Sequence, residues 1–102
     1  MIQQITDNRN EVYALCRQHR VERLGVFGSG LHGAWDATRS DLDFLVVFQT
    51  GTPLEHYERY FGLKEGLERL FGRPVDLVEP QALRNPYFKQ AVSQACDVVY
   101  AA

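Results

Sequence analysis

The hydrophobic and polar positions of the chain follow two periods, and each change of period marks a new element. Residues 11–19 carry apolar side chains at helical spacing, which predicts an amphipathic helix. Asn8 and Glu11 have the spacing of a capping box, although the helix could also begin earlier. Residues 21–27, VERLGVF, then predict a strand with a strongly apolar end.

The clearest strand is predicted at residues 41–48, DLDFLVVF. Beyond its aspartates it is apolar on both faces, which is typical of an interior strand that is covered on both sides. A long helix follows within residues 52–72, and Gly72 and Pro74 indicate its end. The helical phase predicts that its apolar face is formed by Leu54, Tyr57, Phe61, Leu67, Leu70 and Phe71.

Two more strands are predicted at residues 75–78 and 97–100, the second at an edge of the sheet. Between them, Asn85-Pro86 opens a predicted helix, with proline at its first position. Helices and strands therefore alternate along the chain. This order predicts an α/β or α+β fold, with a small mixed β-sheet and helices packed on it.

Composition narrows the class of protein. The 102 residues fit one domain, spanning 1–102, and the 45% hydrophobic and 24% charged shares are ordinary for a soluble protein. A net charge of −2 gives no sign of a polyanion-binding surface, so direct nucleic-acid binding is not expected. No apolar run approaches the ~20 residues that span a membrane. Cys16 and Cys96 lack metal-ligand spacing and predict free thiols in a reducing, cytoplasmic compartment.

Asp41 and Asp43 begin the apolar strand and carry the strongest chemical signal. Residues two apart on a strand face the same way, about 6.6 Å apart at a rise of ~3.3 Å per residue. Two such carboxylates can converge on one metal ion or flank two. Oxygen ligands without neighbouring His or Cys favour Mg²⁺ or Mn²⁺. The structural alternative is that Asp41 caps the strand and Asp43 makes a buried hydrogen bond.

Asp76, in PVDLV, offers a third carboxylate. If its strand lies beside residues 41–48, three carboxylates meet at one end of the sheet. Two would then hold metal, and the third could accept a proton from an attacking hydroxyl. A buried hydrogen bond is an equally open interpretation of Asp76 alone.

Gly28-Ser29 follows a predicted strand and opens a short predicted helix. Small residues there let backbone N–H groups approach an anion at a helix N-terminus. Together with two metal-binding aspartates, this turn makes a coherent triphosphate site. Arg39 could reach a phosphate as well, and a solvent-exposed loop arginine is the alternative.

These residues together resemble the minimal nucleotidyltransferases of the DNA polymerase beta superfamily. The resemblance rests on Gly28-Ser29, on Asp41-Leu42-Asp43 before an apolar strand, and on Asp76 in GRPVDLVEP. The tail LRNPYFKQAVSQACDVVY is similar to the end of that family, so the resemblance covers about residues 20 to 100. Two features depart from the family. Eleven residues instead of ten separate Gly-Ser from the first aspartate, and His32 stands where the family often has arginine.

The resemblance implies a nucleotidyltransferase fold and transfer of a nucleoside monophosphate, AMP from ATP, to an acceptor with release of pyrophosphate. By that likeness Asp41 and Asp43 bind Mg²⁺ or Mn²⁺, and Asp76 is both metal ligand and general base. Gly28 and Ser29 would hold the triphosphate. Short members of the family are often antitoxins of HEPN-domain ribonuclease toxins, and some add AMP to a toxin tyrosine. A hetero-oligomer with such a toxin is therefore expected.

Two other functions are compatible with the same residues. The chain could be a catalytically weak antitoxin that neutralises its toxin by stoichiometric binding, which the His32 departure favours. It could also be the catalytic subunit of a small-molecule nucleotidyltransferase whose substrate-recognition domain lies on another chain. The small size favours a protein acceptor, because 102 residues barely complete a catalytic sheet.

Overall fold

A computed structural model describes residues 3–27, 42–83, 85–87, 90 and 96–102. The described helices and strands agree with the predicted ones, with one additional helix at the start. The predicted helix after Gly28-Ser29 and most of the helix predicted from Asn85-Pro86 lie outside the described residues. In chain order the elements are α1 (Gln3–Asp7), α2 (Arg9–Gln18), β1 (Val21–Phe27), β2 (Leu42–Phe48), α3 (Pro53–Phe71), β3 (Val75–Val78), a 3₁₀ turn (Pro80–Ala82) and β4 (Asp97–Ala101).

The described strands form one mixed sheet in the order β3-β2-β1-β4. β2 pairs with β3 in parallel, and β1 pairs antiparallel with both β2 and β4. The parallel pair requires a crossover connection, which α3 supplies. The predicted α+β class with a mixed sheet is thus confirmed, and β4 lies at an edge as expected.

The first predicted helix is observed as α2, and α1 precedes it as a separate short helix. Asn8 is the N-cap of α2, but its side chain makes no capping hydrogen bond there. Its Nδ2 instead donates to the carbonyl oxygen of Gln4 at 2.8 Å. The predicted capping box with Glu11 is wrong, because the last turn of α1 supplies a competing acceptor.

α3 ends where Gly72 indicates, and a capping box at Thr52 begins it. Thr52 Oγ1 accepts a hydrogen bond from the Glu55 N–H at 3.2 Å, and Glu55 Oε1 accepts from the Thr52 N–H at 2.9 Å. This reciprocal pair satisfies two N–H groups that the helix itself cannot satisfy. At the other end Gly72 has φ +68°, a left-handed conformation that glycine adopts without strain.

The predicted apolar face of α3 is buried only in part. Leu67 and Phe71, which belong to that face, are buried together with Leu63. Leu54, Tyr57 and Phe61, which also belong to it, are 66%, 60% and 49% exposed. The helix carries two apolar stripes, and the helical period alone does not say which of them faces the sheet.

The core lies between one face of the sheet and the helices. Its fully buried members on the strands are Val21, Leu24, Val26, Leu42, Phe44 and Val46. The other face of β2 carries Leu45 and Val47, which are half-buried. Among the described elements, the helices α1 to α3 cover one face of β2, and coverage of both faces stays a prediction. Within the described ranges, no helix is long and apolar enough to cross a membrane.

Candidate functional site

Asp43 and Asp76 lie side by side on the face of the sheet that is turned away from the core. They are register partners in the parallel pair of β2 and β3. The residues before and after Asp43, Leu42 and Phe44, are fully buried. Since successive side chains of a strand point to opposite faces, Asp43 points away from the core. The same alternation holds in β3, where Asp76 is exposed between the buried Val75 and Leu77.

The two carboxylates are close enough to act on one ligand, because neighbouring strands lie about 4.8 Å apart. Asp43 is half-buried and Asp76 is exposed, so both carboxylates are within reach of a ligand from solvent. Two carboxylates on one face are the oxygen donors that Mg²⁺ and Mn²⁺ prefer. The chemistry of the pair therefore fits a divalent cation.

The other predicted site residues lie outside the described part of the chain. These are Gly28, Ser29, Arg39 and Asp41, together with His32. β1 ends at Phe27, which is the register partner of Asp43, and the predicted Gly-Ser turn begins at the next residue in sequence. Across the residues that the structure describes, no group of three or more His, Cys, Asp or Glu side chains is arranged to hold a metal.

The side of β3 that faces away from β2 is bonded to side chains of α3, which sequence reasoning missed. Tyr60 Oη donates to the carbonyl oxygen of Leu77 at 2.8 Å, and the Val75 N–H donates to Glu68 Oε2 at 3.1 Å. Burial raises the pKa of the Tyr60 hydroxyl, and the nearby charges of Asp76 and Glu79 raise it further. The available signal was the eight-residue spacing of Tyr60 and Glu68 on a helix next to a short strand.

A small cavity lies further along the same face of the sheet. It measures about 130 Å³, and Gly25 lines it beside the thiol of Cys96. A Cβ atom at Gly25 would lie 2.1 Å from Cys96 Sγ, so only glycine permits this approach. Burial and the charge of Asp97 raise the pKa of the Cys96 thiol, against a smaller lowering by Arg23. The remaining lining residues are Arg23, Leu45, Val47 and Pro80.

Comparisons with known proteins agree with this geometry. Residues 12–99 match the family described as nucleotidyltransferase domain. A Methanocaldococcus jannaschii protein named "Putative protein adenylyltransferase MJ0128" is 35% identical over 86 residues, covering 84% of this chain and 82% of that protein. A solved structure described as a "putative minimal nucleotidyltransferase" is 37% identical, with a TM-score of 0.71, and covers 89% of this chain and 88% of that one.

A second solved structure, of a toxin–antitoxin complex with AMP-PNP, shares the fold. Its TM-score is 0.66 at 23% identity, and the match covers 93% of this chain and 74% of that one. The predicted resemblance to minimal nucleotidyltransferases and the predicted fold are confirmed by these matches. They leave the individual site residues as predictions.

Proposed function

The chain belongs to the nucleotidyltransferase domain family, and we propose that it transfers AMP from ATP to a hydroxyl group of a partner protein. The observation that carries this proposal is the register pairing of Asp43 with Asp76 on the open face of the sheet. Two carboxylates side by side on one face of the sheet are the oxygen donors that Mg²⁺ and Mn²⁺ prefer, which supports a metal-binding role for the pair. The similarity to a protein named for adenylyl transfer supports AMP as the transferred group.

The residues have distinct roles in the proposed reaction. Asp43 and Asp76 would hold Mg²⁺ or Mn²⁺ together with Asp41, which lies outside the described residues. Bound there, the metal supplies neutralisation of the phosphate oxygens and polarisation of the α-phosphate. The amides of Gly28 and Ser29 and the Arg39 side chain are proposed to bind the triphosphate.

Asp76 is also proposed as the general base. Its carboxylate accepts the proton of the acceptor hydroxyl as that oxygen attacks the α-phosphorus of ATP. The bond between the α-phosphorus and the oxygen bridging to the β-phosphate breaks, and pyrophosphate leaves. Asp76 suits this role because it is exposed, so an acceptor on another protein can reach it.

We further propose that the partner is a HEPN-domain ribonuclease toxin, with a toxin tyrosine as acceptor, and that the chain is its antitoxin. The fold similarity to a toxin–antitoxin complex and the expectation from the sequence both support this partner. The test is incubation of the protein with ATP labelled at the α-phosphate, Mg²⁺ and the protein encoded beside its gene. The partner should become labelled, whereas ATP labelled at the γ-phosphate should leave it unlabelled.

The matched variants decide the outcome of that experiment. Asp43→Asn and Asp76→Asn should abolish the label, and Glu58→Gln, an exposed change on α3, should leave it intact. Labelling that survives in both aspartate variants would contradict the proposal.

Neutralisation by stoichiometric binding is the second candidate, and the exposed stripe of α3 favours it. Leu54, Tyr57 and Phe61 form this stripe, and the rings of Tyr57 and Phe61 contact each other with centroids 4.7 Å apart. Apolar surface of this kind is a common feature of protein interfaces. If binding alone neutralises the toxin, Asp43→Asn should still protect cells, and Tyr57→Asp should not.

A further inference from the structure

β3 is a short edge strand that carries one of the two paired carboxylates. It has four residues, and in the sheet formed by the described strands it pairs with β2 alone. An edge strand of this length has few backbone hydrogen bonds to fix its position. The pairing of Asp76 with Asp43 therefore depends on whatever holds the outer edge of β3.

Two side chains of α3 occupy that outer edge, one on each side of Asp76. The carbonyl oxygen of Leu77 accepts from Tyr60 Oη at 2.8 Å, and the Val75 N–H donates to Glu68 Oε2 at 3.1 Å. Alternate residues of a strand in a parallel ladder bond to the same neighbour, so these groups point away from β2. These two outer-edge bonds therefore flank Asp76 itself.

Packing and charge support both outer-edge bonds. The Tyr60 ring lies against Phe48 and Phe61, with centroids 6.5 and 5.0 Å away, so its hydroxyl has a defined direction. Glu68 is a half-exposed side chain that also pairs with Lys64 at 3.9 Å on the same helix. One donor and one acceptor thus reach β3 from a helix that is anchored in the core by Leu63, Leu67 and Phe71.

We infer that Tyr60 and Glu68 are positioning residues that hold Asp76 opposite Asp43. The inference rests on the proposed function in so far as Asp76 acts in catalysis. The outer-edge bonds tie β3 to α3, and buried residues of α3 share one core cluster with those of β2. The position of Asp76 relative to Asp43 is thereby fixed. Neither side chain needs to touch the substrate for this role.

The first test measures how firmly β3 is held in the metal-free protein, from the amide hydrogen exchange rates of its residues. Tyr60→Phe keeps the ring and removes the hydroxyl, and it should speed exchange of the β3 amides about tenfold, the effect of losing one hydrogen bond. Tyr57→Phe makes the same change at a position that is 60% exposed and should leave β3 unaffected. Unchanged exchange of β3 in Tyr60→Phe would overturn the inference.

Glu68 is tested with a conservative pair. Glu68→Leu should speed exchange of the Val75 amide about tenfold, because its acceptor is lost. Glu68→Gln keeps a side-chain oxygen as acceptor and should restore the slow exchange. Glu65→Leu, which breaks an ion pair with Arg69 on the solvent side of α3, is the matched control. Equal exchange in Glu68→Leu and Glu65→Leu would contradict the role of Glu68.

The second test separates positioning from general stability through kinetics. In Tyr60→Phe, kcat for AMP transfer should fall about tenfold and the Mg²⁺ concentration for half activity should rise, while KM for ATP stays within about twofold. A merely structural loss would lower the active fraction without moving the Mg²⁺ dependence. Faster β3 exchange with unchanged kcat and Mg²⁺ dependence would overturn the inference.

Failure of the proposed function gives a different result. If the wild type does not label the partner, or if labelling survives in both Asp43→Asn and Asp76→Asn, the proposed function of the carboxylate pair is wrong. The exchange measurements then decide alone whether the outer-edge bonds hold Asp76 opposite Asp43.

Discussion

The two faces of the sheet differ in what their residues do for the protein. On the helix-covered face, Leu42, Phe44 and Val46 are fully buried and pack against α2 and α3. On the open face, the alternate residues of the same strand include Asp43, paired with Asp76. One seven-residue strand thus contributes to the core and to the candidate site. The alternation teaches that stability and chemistry can be altered separately within a single strand.

The largest effect is expected on the covered face. Phe44 is fully buried and stacks on Phe71, with ring centroids 6.3 Å apart. Phe44→Ala should lower the free energy of unfolding by about 3–5 kcal/mol through lost burial and the remaining cavity. Urea denaturation measures this, with Leu54→Ala as a control that should change it by about 0.5 kcal/mol or less. Equal effects of the two substitutions would contradict the assignment of the core face.

The next largest effect is expected for Asp43, on the face of the same strand that is turned away from the core. Asp43→Asn should lower AMP transfer at least about 100-fold, equivalent to about 2.7 kcal/mol of transition-state stabilisation. It should change the free energy of unfolding by less than about 1 kcal/mol, because the side chain lies outside the core. Activity and urea denaturation are measured on the same samples. If Asp43→Asn loses activity only in proportion to its loss of folded protein, the prediction that this face serves activity and not stability is contradicted.

A substitution at Gly25 tests the contact between β1 and Cys96 on the face of the sheet turned away from the core. Gly25→Ala should destabilise the protein by about 1–3 kcal/mol, because the new Cβ would overlap Cys96 Sγ. Adding Cys96→Ala should restore most of that stability. The control is Gly51→Ala, where a Cβ would meet the end of the flexible Arg59 side chain. If the double variant is no more stable than Gly25→Ala, contact with Cys96 is not the cause.

The smallest effect concerns the two thiols, which lie on opposite sides of the sheet. Burial raises the pKa of Cys16 to about 12, with a smaller opposing effect of Arg17, and the side chain is fully buried. Cys96 is half-buried and its pKa is also raised. Iodoacetamide should therefore modify Cys96 before Cys16. The rate at Cys96 should increase as the pH rises, because the thiolate is the reactive form. Cys16 should react only in urea, and its modification in the folded protein at the rate of Cys96 would contradict this.

Much of the fold was predictable because its signals are local. The Thr52 capping box, Gly72 and the apolar run of β2 each determine structure within a few residues. The buried stripe of α3 was not predictable in this way. Leu54, Tyr57 and Phe61 have the same helical spacing as buried residues, and only the position of the sheet decides that Leu63 and Leu67 are covered.

The candidate site was predictable to a similar extent. The residue types and the spacing of Asp41 and Asp43 indicated a metal site, and the structure brings Asp76 beside Asp43. Tyr60 and Glu68 were missed because their partners are backbone atoms of β3. A backbone partner, whether the carbonyl of Leu77 or the N–H of Val75, has no residue type of its own for a motif to detect. The spacing of Tyr60 and Glu68 alone therefore did not identify these contacts.

The central claim is that Asp43 and Asp76 together bind the metal that serves AMP transfer. The most direct measurement is a crystal structure with Mn²⁺ and AMP-PNP, in which anomalous scattering locates the metal. We expect an anomalous peak about 2.0–2.3 Å from carboxylate oxygens of both residues. A peak bound by neither aspartate, or the same peak in a crystal of the Asp43→Asn, Asp76→Asn double variant, would contradict it.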